Sequence, residues 1–253
     1  MAGQSGLITP DWPAPARVRA VATTRDGGVS AGSWASFNLG THVGDDPAAV
    51  AANRQRLRTA LGFSGEPAWL EQVHGTAVVE ARAAPLPVSA DASIGTASSA
   101  PCVIMTADCL PVLFCNDEGT QVAAAHAGWR GLAAGVLEAT LAALAAAGAP
   151  AAGLMAWLGP AISGPAYEVG EEVRGAFLAA DPAAAIGFRA NARGRWQLDL
   201  EAIARQRLAA AGVGRVYGGG FCTATDAGRF FSHRRDGRSG RQATLVWLEP
   251  AGR

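Results

Sequence analysis

The sequence predicts an α+β fold built on mixed β-sheets, and three observations carry that expectation. Hydrophobic residues make up 49% of the 253 residues and charged residues only 17%, enough for one sizeable core and incompatible with a disordered chain. Strand-like and helix-like segments follow one another without the strict βαβ rhythm of a doubly wound parallel sheet. No internal repeat and no linker divides the chain, so residues 1–253 read as a single domain.

The elements follow in order. Residues 1–15 are Pro-rich and read as a loose N-terminal tail. Residues 18–24 alternate as a strand, and Arg25-Asp26-Gly27-Gly28-Val29-Ser30 reads as a tight turn. Residues 47–61 have helical spacing, with Asp46 as N-cap. Residues 72–81, 102–106, 110–115 and 122–125 read as strands, the middle pair short and apolar. One long helix is expected over 129–147. A strand at 155–158, helices at 171–180 and 200–210, and strands at 230–232 and 243–248 complete the pattern. The apolar run from 132 to 158 is broken by Glu138 and Pro150, so it reads as a buried helix followed by a strand, with no membrane span.

Composition excludes several chemistries. Formal net charge is +0, which leaves no whole-chain electrostatic footprint for nucleic acid or an anionic membrane. All 21 basic residues are Arg. Without a single Lys, a Schiff-base lysine, a pyridoxal-phosphate anchor and a Walker-type phosphate lysine are impossible. The four Cys form no CxxC pair and the N-terminus has no secretory pattern, so free thiols in the cytoplasm are expected. A monomer is the default expectation.

Candidate chemistry lies in the residues that follow strand-like runs. His74 (in QVHG), Cys109 (in TADCLPVL) and His126 (in AAHAGWRG) each stand before a Gly, a Pro or a small residue, where sites are usually built. Two His and one Cys suit zinc, with copper also accommodated, and three protein ligands leave a fourth position open. Their wide separation in sequence matches no short ligand pattern, so a buried histidine in an ordinary polar role is the competing reading of each. Cys102, Cys115 and Cys222 sit in apolar runs and read as small hydrophobes. Arg130 falls in the first turn of the long helix, where free N–H groups and the macrodipole favour anions. The loop 231–241 gathers Arg234, Arg235, Arg238 and Arg241, either as a solvated turn or as an anion clamp.

These motifs converge. QVHG, TADCLPVL, AAHAGWRG, LGPAISGPAYEVG and FFSHRRDGRSGR occur in that order, preceded by TTRDGGVS and FNLG. Together, from Arg25 to Leu248, they resemble the YfiH-type family, long labelled laccase-like or multicopper polyphenol oxidase and viewed as purine nucleoside phosphorylases. The resemblance implies mixed sheets flanked by helices in α/β/β/α layers, a metal held by His74, Cys109 and His126, and one catalytic domain. It implies cleavage of adenosine, inosine, guanosine or methylthioadenosine with phosphate, releasing base and pentose 1-phosphate, with adenosine deaminase as a side activity. At His233 many members carry Tyr. The laccase label fails on counting, since several copper centres need more than the four His present; one copper at the same three residues would give only weak phenol oxidation.

For phosphorolysis, Arg130 is expected to hold phosphate, with Asp91 and Asp108 as candidate acid–base groups and Cys109 and His126 at the reacting centre. Adjacent strand residues face opposite ways, so Asp108 and Cys109 can share one substrate only if a turn intervenes; otherwise Asp108 orients its neighbours. Asn38, Gln72 and Arg235 are further candidates for substrate contact. The competing enzyme reading is a cysteine hydrolase acting on amide-bearing peptidoglycan precursors, with Cys109 as nucleophile and His126 or His74 as base. A third reading is a binding module without turnover.

Overall fold

The computed structural model describes residues 6–84, 87–97 and 99–249. The described chain begins with β1 (Leu7–Ile8) and β2 (Val18–Thr23), followed by α1 (Pro47–Leu61). Short strands β3 (Leu70–Glu71), β4 (Val78–Glu80), β5 (Val88–Ser89) and β6 (Ala92–Gly95) lead into β7 (Cys102–Thr106), β8 (Leu110–Asn116) and β9 (Val122–Ala127). Helices α2 (Trp129–Ala134) and α3 (Val136–Ala146), β10 (Leu154–Leu158), β11 (Glu168–Val169) and α4 (Glu171–Ala180) follow. Then come β12 (Phe188–Ala190), β13 (Trp196–Leu198), α5 (Leu200–Ala210), β14 (Arg215–Gly218), α6 (His233–Asp236) and β15 (Gln242–Leu248).

Two sheets dominate. One is antiparallel with order β1-β2-β15-β7. The other has order β14-β10-β8-β9-β6-β4, antiparallel at its centre and parallel at both edges. Period-2 alternation explains how they stack. On β7, Cys102 and Ile104 share a cluster with Leu113, Cys115, Met155 and Trp157 of the larger sheet, whereas Val103 and Met105 share one with Leu57 of α1. On β8, Val112 and Phe114 point the other way, toward Leu137 and Leu141 of α3 and Leu208 of α5. Both sheets are therefore buried on two faces, which gives four layers: α1, sheet, sheet, and the helices α2 to α5. Each large side chain so buried contributes about 1.5–3 kcal/mol.

Four sequence expectations are corrected. Residues 6–15 are not loose: Leu7 and Ile8 pair with Thr23 and Ala22, and Asp11 Oδ1 accepts the Nε1–H of buried Trp157 at 3.2 Å. Residues 1–5 of that expected tail lie outside the described residues. The strand expected over 72–81 exists only at its far end, because 72–77 turn away to build the site. The expected long helix breaks at Gly135, whose φ of 103° is left-handed. Its N–H closes onto the Gly131 and Leu132 carbonyls, a glycine C-cap inside an otherwise helical stretch. Residues 230–232 form no strand; Phe230 and Phe231 are core, and Ser232 caps α6. The predicted Asp46 cap on α1 is present, its side chain accepting from Ala48 N–H at 3.0 Å.

Candidate active site

Three chain segments converge at one end of the larger sheet. His126 is the penultimate residue of β9, and the β8–β9 register pairs Pro111 with His126 and Leu110 with Ala127. Cys109, one residue before β8, is thereby delivered beside His126. His74 arrives on the loop between β3 and β4, in the left-handed region at φ 62°. The ligand atoms of the three side chains lie within 4.8 Å of one another, with Cys109 Sγ 3.8 Å from His74 Nε2 and the two rings 4.7 Å apart.

One carboxylate organises the loop and the strand together. Asp91 is fully buried; its Oδ1 accepts His126 Nδ1–H at 2.8 Å and His74 N–H at 2.9 Å. Its Oδ2 accepts the amides of Gly75 at 2.6 Å and Val73 at 3.2 Å. A carboxylate only accepts, so Nδ1 of His126 carries a proton and Nε2 is left facing Cys109. Burial opposes the Asp91 charge, but the His126 ring and these amides outweigh it and hold the carboxyl below its ordinary range. Burial likewise opposes charge on Cys109 and His126. The attraction between them prevails, pulling the thiol down to about 6 and the imidazole up to about 9. Gly128, the N-cap of α2, stands against the cluster: a Cβ there would lie 2.7 Å from His74 Cδ2 and 3.1 Å from Cys109 Sγ.

A turn does intervene at Asp108, whose φ is 96°. Its Oδ1 accepts the Thr223 hydroxyl and its Oδ2 the Arg234 N–H, both at 2.6 Å. This ties the cysteine turn to the start of α6.

The cluster opens into a cavity of about 900 Å³. Gln72, Asp108, Arg130, Tyr167, His233 and Arg234 are on its wall. Gln72 is pinned at both ends, donating to Met105 O and accepting from Met105 N–H, each at 2.8 Å. Arg130 is exposed, stacked on the Trp129 ring at 4.3 Å. Asn38 and Arg235 are elsewhere. Asn38 is fully buried, donating to Gly40 O and Asp45 and accepting from the Gly40 and Arg241 amides. Arg235 turns inward onto the Thr223 and Phe230 carbonyls and Asp236. Asp91 does not line the cavity either; it reaches the cluster through His126 and the His74 backbone.

Sequence reasoning missed His42, Arg54 and Trp69, which share the far cavity wall with Arg241, a residue of the loop read as a solvated turn or an anion clamp. Arg54 stacks on Trp69 at 3.8 Å. In sequence Arg54 is one arginine on a polar helix, with nothing to separate it from its neighbours. Tyr167 was visible only inside a resemblance motif; burial and the Cys109 charge push its hydroxyl up to about 12, outweighing the cation of Arg234.

Of the remaining cysteines, Cys102 and Cys115 are fully buried and pushed up to about 12 by burial. Cys222 differs from the expected small hydrophobe. It is only half-buried and accepts the Ser163 N–H at 3.5 Å; burial is outweighed by hydrogen bonds from Ser163 and Thr225, which bring its thiol to about 7.

Residues 19–249 match the family described as multi-copper polyphenol oxidoreductase laccase. The chain is 57% identical to the purine nucleoside phosphorylase PA4543 of Pseudomonas aeruginosa, covering 96% of this chain and 98% of that one. It is 49% identical to the purine nucleoside phosphorylase YfiH of Escherichia coli, covering 96% and 99%. Among solved structures, protein NMB0706 of Neisseria meningitidis superposes with a TM-score of 0.92 at 51% identity over 97% of this chain and all of that one. YlmD of Geobacillus stearothermophilus superposes at 0.88 with 30% identity over 98% of both.

Proposed function

Because this chain belongs to the YfiH-type family, the one described as multi-copper polyphenol oxidoreductase laccase, we propose that it is a purine nucleoside phosphorylase like the relatives that carry that name. The reading rests on one observation above the others: His74, Cys109 and His126 open onto a cavity large enough for a nucleoside. Its substrates are adenosine, inosine, guanosine or methylthioadenosine together with inorganic phosphate. A phosphate oxygen bonds to C1′ as the C1′–N9 bond breaks, giving pentose 1-phosphate and a purine whose departing nitrogen takes a proton.

The residues fit a zinc ion. One thiolate and two imidazole nitrogens within 4.8 Å of each other are a three-ligand set with a position left open, and copper suits the same donors. The Asp91–His126 hydrogen bond fixes the ring, as the partner of a metal-bound histidine commonly does. When bound, the ion supplies a Lewis-acid centre that orients phosphate or polarises a substrate oxygen. Asp108, with both oxygens already engaged, holds the cysteine turn in place. Tyr167 keeps its proton and donates a hydrogen bond to the purine. The same centre accounts for adenosine deamination as a side activity. With a single cluster among the described residues, the laccase description corresponds at most to weak phenol oxidation at one copper.

A second reading has its own support. Cys109, His126 and Asp91 form a thiol, a base and a carboxylate that orients the base, the arrangement of a cysteine hydrolase. Amide-bearing peptidoglycan precursors are its candidate substrates. Metal on the thiolate would block it.

The test is chromatography of zinc-loaded protein with adenosine and with inosine, each with and without phosphate. Phosphate-dependent release of adenine or hypoxanthine is expected, and C109A should lose bound zinc and turnover together. A fully active, zinc-free C109A sinks the metal assignment. Amide hydrolysis that rises with chelator, with no nucleoside cleavage, transfers the function to the cysteine hydrolase.

A further inference from the structure

On the wall of the cavity formed by Arg54, Arg241 and His42, only Arg241 falls within a sequence motif, as the last residue of FFSHRRDGRSGR. Arg54 reaches it from α1 and Arg241 from the residue before β15. Leu39 joins them: its N–H donates to Arg241 O at 3.0 Å and its carbonyl accepts from Arg54 Nε at 3.0 Å. Asn38 locks the same strap by accepting the Arg241 amide at 2.8 Å, and Asn53 donates to the Asn38 carbonyl at 2.9 Å. Both asparagines are fully buried, so the two arginines are set on a rigid base.

Neither arginine is in a close ion pair, although Glu66, which accepts the Trp69 indole N–H, lies within electrostatic reach of Arg54. Among the described residues no carboxylate forms an ion pair with Arg54 or Arg241. Arg207, by contrast, is neutralised by Glu138. Arg54 spends Nε on Leu39 and one face on Trp69, and Arg241 spends one terminal nitrogen on the Ser239 and Gly240 carbonyls. Nη1 of Arg54 and Nη2 of Arg241 have no hydrogen-bond partner among the described residues. Both cations are half-buried, and burial lowers both, Arg54 to about 10. His42 lies in the same field; burial and then Arg241 and Arg54 depress its imidazole, leaving it neutral at pH 7. Arg241 is also within electrostatic reach of Cys109 and Asp108, so this wall and the metal-type cluster face one space.

A fold tolerates such a cost where an anion repays it. We propose that Arg54 and Arg241, with His42 beside them, form the oxyanion pocket that receives the inorganic phosphate consumed in nucleoside cleavage. The planar donor fork of arginine matches phosphate geometry, and a dianion held by two such forks offsets the cost of burying their charges. This rests on the phosphorylase reading and departs from the expectation that Arg130 holds the phosphate. Arg130 is exposed and stacked on Trp129, in the first turn of a helix only six residues long, and serves the nucleoside end of the cavity.

The experiment compares phosphate binding and turnover in the wild-type protein and in Arg54→Gln, Arg241→Gln and Arg130→Gln. Calorimetry with inorganic phosphate, in the absence of nucleoside, should show affinity falling at least about 10-fold in the first two and little in the third. In turnover, KM for phosphate should rise by a similar factor while KM for inosine stays within about 2-fold. Unchanged phosphate affinity in both far-wall variants, or loss only in Arg130→Gln, overturns the proposal. Binding of inosine monophosphate with no binding of inorganic phosphate also overturns it, since the pocket would then serve a nucleotide's own phosphate. Should a Gln variant fail to fold, tungstate diffused into wild-type crystals decides: an anomalous peak between Arg54 and Arg241 supports the assignment, and a peak only at Arg130 or the cysteine–histidine cluster refutes it. Phosphate held by the two arginines without cleavage of any nucleoside would refute the phosphorylase and leave the pocket standing. Cleavage with a phosphate KM indifferent to both substitutions would do the reverse.

Discussion

Asp91 Oδ1 sits 2.8 Å from His126 Nδ1, and the same oxygen takes the His74 amide, so one buried carboxylate sets the ring of one candidate ligand and the backbone of another. Replacing Asp91 by Asn keeps the shape and removes the charge, and the amide nitrogen then meets N–H donors. Zinc affinity, read by competition with a chromophoric chelator, should fall about 10–100-fold. Unaltered affinity would show that the ring needs no such hold.

The same residue predicts an acid sensitivity. Its folded carboxyl is depressed relative to the unfolded chain, whose Asp titrates near pH 3.9, about the usual value. Its stabilisation is therefore complete above that pH and is lost as pH falls through the folded value. Melting temperatures of wild type and Asp91→Asn should differ most at neutral pH and converge in acid. Parallel curves down to pH 2 would contradict this.

Gly128 separates catalysis from folding. Its φ of −63° and ψ of 156° suit alanine, so Gly128→Ala carries no backbone strain. The added methyl nevertheless collides with His74 and Cys109. Turnover should drop about 100-fold, as for an ångström-scale misplacement of reacting groups, while the melting temperature moves little. Retained activity would mean that the two side chains yield freely.

Cys222 should be the most easily alkylated cysteine outside the cluster. Its thiol is brought to about 7, so the thiolate fraction and the iodoacetamide rate should rise between about pH 6 and 8 and then level. Cys102 and Cys115, buried and pushed up to about 12, should stay unlabelled. Peptide mapping by mass spectrometry reads all three at once.

The N-terminal segment offers a stability test. Asp11→Ala leaves the Trp157 indole N–H, on a side chain 1% exposed, without its acceptor. About 1–2 kcal/mol should be lost in chemical denaturation. A change within error would imply that water takes over the bond.

The sequence was most legible where periodicity and chemistry are local. Strands 102–106 and 110–115, the Asp46 cap and the helix at 200–210 were all readable from alternation, spacing and turn residues. His74, Cys109 and His126 were singled out by their place after strand-like runs, and the structure brings them together. What stayed hidden depends on tertiary partners. Gly135 looks like any glycine in an alanine-rich helix until its left-handed φ is seen. Asn38 and Arg235 are polar residues inside specific motifs, yet one is a buried brace and the other turns onto carbonyls. Asp91 shows no local sign of the two histidines it holds, 17 and 35 residues away. Arg54 and Arg241 become a pair only through Leu39.

The order of β1-β2-β15-β7 has a consequence for how the protein is born. β15 is an inner strand, paired on one side to β2 and on the other to β7. During translation, β2 and β7 must wait with unsatisfied edges until residues 242–248 leave the ribosome. The cysteine turn waits as well, because Asp108 finds its Arg234 partner only after a further 126 residues. A ribosome-bound chain stalled before that point holds its reactive thiol in an unfinished pocket. Chaperones that shield exposed strand edges are therefore expected to engage the nascent chain over this interval and to release it once β15 is threaded into place.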